Sequence, residues 1–168
     1  MLRETVGAMA RGSTEGSAMN TPIVLGFDGT ECAMSALDEA VELAKMSDEP
    51  RVVVVYGDRL PPGYRSHESA EDDSALTSYK GRVTAAVQPM LQAAADRIAC
   101  AGASAETHIV WQDPARALLD AATENQARLI VIGTHGEGAV SGLLHGSLAY
   151  RLIHQSSVPV VVVPHRGH

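Results

Sequence analysis

Three stretches of this chain are apolar without interruption by a polar residue: Ile23-Val24-Leu25-Gly26-Phe27, Val52-Val53-Val54-Val55-Tyr56 and Leu129-Ile130-Val131-Ile132. A fourth, Val158-Pro159-Val160-Val161-Val162-Val163, is broken only by its proline. A strand with one wet face alternates apolar and polar residues. Strands that are apolar on both faces belong to a sheet covered on both sides, which in practice means a parallel sheet. Parallel neighbours need long crossovers, and helical spacing supplies them. Ala33, Leu37, Ala40, Val41 and Ala44 follow the first run. A longer pattern covers Tyr79 to Ala101, with Val83, Val87, Leu91, Ala94, Ala95 and Ile98 on one face and Pro89 expected to kink or divide it. A further strand, Ala105 to Val110, leads to Asp113-Pro114, an N-cap followed by proline at the first helical position, with Leu118, Leu119 and Ala122 behind it. A last helix is expected over Ser147 to Gln155.

Strand and helix alternate throughout, which predicts a single-domain, doubly wound α/β fold. Right-handed crossovers with two helices per face give five parallel strands in the order 3-2-1-4-5. The 168 residues suffice for one domain with a sizeable core. Residues 1–20 are small, polar and aperiodic and read as a disordered tail, 21–164 as the folded domain and 165–168 as a C-terminal tail. From Gly57 to Ser78 the chain is polar, with an acidic patch at Glu68, Glu71, Asp72 and Asp73, a lid or a solvated excursion.

Composition excludes several functions. A formal net charge of −7 argues against nucleic acid or an anionic membrane as partner. No run reaches transmembrane length and no export signal opens the chain, so a cytoplasmic protein is expected. Cys32 and Cys100 show no C-x-x-C spacing and are expected to be two buried free thiols. None of the seven histidines falls in a metal-ligand spacing, and Ser147 lacks the G-x-S-x-G setting of a hydrolase nucleophile.

The chemistry concentrates after the fourth strand. From Gly133 the chain reads G-x2-G-x9-G-S, with Gly136, Gly146 and Ser147 as its other fixed points, and it ends where a helix opens. Glycines allow the backbone to approach a ligand and to present successive N–H groups to one anion. The free amides of a helix N-terminus favour a phosphate. In the 3-2-1-4-5 order, ligands bind beyond the carboxyl ends of strands one and four, where the winding reverses. Asp28 ends the first strand and Gly133 the fourth. As a purely local feature, Asp28 also suits a helix cap.

Taken together, Asp28 after the first strand, Asp113-Pro114-Ala115, the spaced glycines with Ser147 and the terminal valine strand resemble the universal stress proteins, over about residues 21–164. With its three motif glycines and serine intact, the chain is similar to the nucleotide-binding branch. The resemblance implies an adenine nucleotide, ATP or else AMP or cyclic AMP. Asp28 would face the ribose or, through Mg²⁺, the phosphates. Gly57 would bring backbone groups to the adenine edge, with Ile132 packing nearby and Gly133 near the ribose. Gly136, Gly146, Ser147 and the amide of Leu148 would hold phosphates. Gly26, Phe27, Thr134 and His135, in the same two turns, complete the expected set. One departure is that the loop from Gly136 to Gly146 has no Lys or Arg and carries Glu137, which opposes a triphosphate unless His135 and His145 are protonated.

With no general base evident beside the loop, the expected role is a stress-response sensor or regulator. The alternatives are a slow Mg²⁺-dependent ATPase or phosphotransferase and a dimeric scaffold that makes no use of nucleotide. The last strand, Val158 to Val163, forms an apolar sheet edge that needs cover. Antiparallel pairing with a second copy would supply it, a homodimer that the resemblance also implies.

Overall fold

The computed structural model describes residues 21–61, 73–134 and 148–164. In chain order the elements are β1 (Ile23–Gly26), α1 (Glu31–Ala44), β2 (Arg51–Gly57), α2 (Asp73–Cys100), β3 (Ser104–Val110), α3 (Pro114–Glu124), β4 (Leu129–Gly133), α4 (Leu148–Gln155) and β5 (Val160–Val163). All four strand pairings are parallel, and the order is β3-β2-β1-β4-β5, as the apolar runs predict.

The period-two alternation of side chains divides each central strand between two cores. Ile23, Leu25, Val52, Val54 and Val131 point to the layer made by α1 and α2, where they meet Leu37, Ala40, Leu91 and Ile98. Val24, Val53, Val55, Ile130 and Ile132 point to the opposite layer and meet Leu118, Ala122 and Leu152 of α3 and α4. Ile23, Val24, Leu25, Val52, Val53 and Ile130 are wholly buried. Each such side chain contributes about 1.5–3 kcal/mol over leaving it exposed. Covering both faces is what permits uninterrupted valine.

Three helix boundaries follow from local chemistry. Thr30 caps α1, its Oγ1 accepting from the Ala33 amide at 3.2 Å. Asp113 caps α3 by accepting from the Arg116 amide at 3.2 Å, with Pro114 in the first turn. At the end of α2, Gly102 takes φ +86° while its amide donates to Ala99 O and that of Ala103 to Ile98 O, the paired bonds of a Schellman stop.

The structure also corrects the sequence reading. α2 is one helix that starts at Asp73, six residues before Tyr79, and runs through Pro89 undivided. Pro89 and Ala85 both lie on the exposed face, so the Ala85 carbonyl that loses its donor is open to water. β3 starts at Ser104 rather than Ala105. β5 begins only at Val160; Pro159 contributes its carbonyl, which accepts from the Ile130 amide at 2.9 Å. Cys32 is buried and free as expected, whereas Cys100 is exposed in the last turn of α2. The tails 1–20 and 165–168, and the acidic stretch up to Asp72, lie outside the described residues. No helix among the described residues is long and apolar enough to cross a membrane.

Candidate functional site at the carboxyl edge of β1 and β4

Between β1 and β4 the connections leave in opposite directions, and the turns that follow the two strands meet. β1 continues to Phe27, whose amide donates to Val55 O at 3.1 Å, and β4 continues to Thr134, whose amide donates to Val163 O at 2.9 Å. Asp28 follows, half-buried. Its Oδ1 accepts from the Thr30 hydroxyl at 2.7 Å and from the Thr30 amide at 3.1 Å. The turn is completed by Gly29 at φ +78°, a conformation only glycine takes without strain. Asp28 is therefore not the cap of α1. It orients the threonine that is.

The first turn of α1 rests on the end of β4. A Cβ on Gly133 would lie 2.6 Å from the Cys32 carbonyl carbon and 2.7 Å from its oxygen. Thr134 Oγ1 donates to Cys32 Sγ at 3.7 Å. Gly26 is tight to a lesser degree, with the side-chain atoms Ile132 Cγ2 and Leu118 Cδ1 each 3.0 Å from where its Cβ would be. Gly57, at the end of β2, faces the first turn of α3, where a Cβ would come 2.8 Å from Pro114 Cα. Packing alone thus gives reasons for Gly26, Gly57 and Gly133, separate from any contact with a ligand.

The expected site residues divide by what they can offer. Phe27 and Ile132 are buried in the two cores at 4% and 1% exposure, so their side chains are core residues and only their backbones reach the edge. Asp28, Gly133 and Thr134 are half-buried at the ends of β1 and β4, and Leu148, the first residue of α4, is half-buried against the α3–α4 core. His135, Gly136, Gly146 and Ser147 lie outside the described residues. Asp28 is a suitable carboxylate for Mg²⁺, which keeps several waters and binds through one or two carboxylates together with substrate phosphates. Among the described residues no three His, Cys, Asp or Glu side chains gather as a metal cage.

Sequence reading missed a charged cluster on the α3–α4 side of this edge. Arg151, in the first turn of α4, grips Asp113 with both terminal nitrogens at 2.7 Å, and Arg59, two residues beyond β2, also bonds to Asp113. The Arg151 pair, followed by Arg59 and the Arg116 amide, holds the Asp113 carboxyl well below the usual carboxylate range against the opposing effect of burial. Asp113-Pro114 signals the cap, but nothing local signals partners 54 and 38 positions away. Farther along the edge, Tyr79 donates to Asp58 at 3.1 Å and packs edge-on to Trp111.

An open parallel sheet with helices on both faces, its winding reversed between β1 and β4, defines the doubly wound α/β class, whose members take ligands at this edge. The chain belongs to the universal stress protein family, whose model matches residues 19–164. It is 31% identical over 144 residues to a universal stress protein of Mycobacterium tuberculosis, covering 84% of this chain and 94% of the relative. Among solved structures, a universal stress protein of Lactobacillus plantarum superposes with a TM-score of 0.71 at 19% identity, covering 86% of this chain and 97% of that one, a likeness of fold. The universal stress protein of Archaeoglobus fulgidus in complex with dAMP matches at 26% identity and a TM-score of 0.57, covering 86% and 98%.

Proposed function

We propose that this universal stress protein binds an adenine nucleotide at the carboxyl edge of β1 and β4 and acts in the cytoplasm as a regulator, with no dedicated catalytic step. The observation that carries the reading is the meeting of two turns: Asp28 and Thr30 after β1, and Gly133 and Thr134 after β4. It is supported by the G-x2-G-x9-G-S run that starts at Gly133 and by the dAMP complex of the Archaeoglobus relative. In this reading Asp28 faces the ribose or a phosphate-bound Mg²⁺, and Gly136, Gly146, Ser147 and the Leu148 amide hold phosphates.

The test is direct. Small molecules released on denaturing the purified protein are identified by mass spectrometry, and ATP, AMP and cyclic AMP are titrated calorimetrically into the parent protein and Gly146→Val. The expected result is an adenine nucleotide in the released fraction, and binding that the valine side chain abolishes. Equal binding by both proteins moves the phosphates away from Gly146; no binding by the parent removes the reading.

A further inference from the structure

The two halves of α2 are held to the protein on different terms. From Val87 onward the helix presents a buried stripe, with Val87, Leu91, Ala94 and Ile98 all in the α1–α2 core. Met90 lies over Gly29 in the turn after β1, too close for residue 29 to carry a side chain. Arg97 bonds to Asp38 of α1 at 2.8 Å, and the Schellman stop closes the end. From Ser74 to Ala86, by contrast, no residue is buried. Leu76, Tyr79, Lys80, Val83 and Thr84 are half-buried and the others exposed.

The first half is also a poor helix by composition. Ser74, Thr77, Ser78, Gly81 and Thr84 all rank below the strong helix formers. Gly81 has nothing within 4 Å of where its Cβ would stand, so no packing demands a glycine there. At the junction of the halves, Pro89 removes the hydrogen bond to the Ala85 carbonyl.

What the first half lacks in burial it replaces at one point. The Tyr79 hydroxyl donates to Asp58 Oδ2 at 3.1 Å, and its ring stands edge-on to Trp111 with centroids 6.3 Å apart. The Lys80 ammonium lies 5.8 Å from the Trp111 ring centre. The receiving corner is itself fixed, since the Asp58 amide donates to Val110 O of β3 at 3.0 Å. With Val83, which packs against the core, these contacts hold the first half on the ends of β2 and β3.

A segment with few buried contacts and water-exposed backbone bonds opens at lower free energy than the whole fold. We propose that residues 74–86 form a hinged strap, latched by Tyr79 on Asp58 and Trp111, which opens at Pro89 as one unit. Leu91 to Ile98 stay in the core. Opening uncovers Asp58 and Trp111 at the carboxyl ends of β2 and β3 and leaves the sheet intact. The turn at Gly29 does not follow, because Met90 belongs to the fixed half. The device is independent of any bound nucleotide.

The experiment is deuterium exchange of the full chain, read by mass spectrometry over residues 78–86 and 91–99, with Tyr79→Ala and Gly81→Ala beside the parent. In the parent, 78–86 exchange together and at least about tenfold faster than 91–99. Tyr79→Ala removes the hydrogen bond and the ring contact, and speeds 78–86 about a further tenfold. Gly81→Ala adds a methyl group in open space and a better helix former, and slows 78–86 about fivefold. Both variants leave 91–99 within about twofold of the parent. Equal rates in the two stretches of the parent make α2 one cooperative unit and overturn the proposal. Rates that fall steadily from 78 to 99 mark fraying from the helix end and also overturn it. So does a Tyr79→Ala protein in which 78–86 are unchanged or both stretches shift alike.

Discussion

Gly133 at the end of β4 lies against the backbone of Cys32 in the first turn of α1, so close that a methyl group on Gly133 would sit 2.6 Å from the Cys32 carbonyl carbon. The obstacle is main chain in a capped helix and cannot rotate aside. Either α1 lifts or β4 shifts. Gly133→Ala is expected to destabilise the protein by about 1–3 kcal/mol, the usual range for overpacking a tight site. Chemical denaturation measures it, and an unchanged midpoint would show that α1 is free to move.

Asp113 gives a prediction in pH. Its folded carboxyl titrates well below the ordinary range because Arg151 and Arg59 favour the charged form. A depressed folded pKa means that the unfolded chain takes up the proton first. The stabilisation is therefore complete above the unfolded carboxylate value of about 4 and is lost as pH falls from there toward the folded one. Asparagine still accepts the Arg116 amide and so keeps the cap. The melting temperature of Asp113→Asn should fall furthest below that of the parent near neutral pH, and the gap should narrow below about pH 4. A gap constant from pH 7 to pH 3 would assign the effect to shape and remove charge from the account.

Glu137 adds a negative charge to the loop proposed to hold phosphates. Reversing it with Glu137→Lys should tighten ATP more than AMP, by about 1 kcal/mol for a partly screened pair. Calorimetry of both ligands decides. Equal effects mean that residue 137 points away from the phosphates.

The legible part of this molecule was the part written in local pattern. Uninterrupted valine and isoleucine announced a sheet covered twice, and Asp113-Pro114 announced a helix start. Asp28 suits the α1 cap by residue type, and only geometry gives that role to Thr30: Thr30 takes the amide and Asp28 takes Thr30. Pro89 leaves α2 undivided because its cost depends on whether the released carbonyl meets solvent, which spacing does not reveal. Residues 73–78 carry too weak an apolar stripe to mark the start of α2. The Arg59–Asp113–Arg151 cluster was illegible for a different reason, since its members come together only when three segments fold.

Pairing of two copies through β5 is the remaining prediction. Val161 packs toward the α1–α2 core and Val162 toward the α3–α4 core, both half-buried on an edge strand. A charge at either position, Val161→Asp or Val162→Glu, should move a dimer toward monomer in light scattering. One of the two should act mainly on association and the other mainly on folding. A parent protein that is monomeric at tens of micromolar would end the proposal.

The two borders of the sheet differ in kind. Along β3, Glu106 pairs with Arg51 at 2.7 Å and with His108 at 3.2 Å, and all three side chains are exposed. That border is fenced with hydrated charge, which discourages a foreign strand from adding there. The β5 border is a row of four valines. If two copies pair through β5, the charged β3 border leaves no second edge of the same kind, so the assembly would close as a symmetric pair instead of extending as an open-ended fibre.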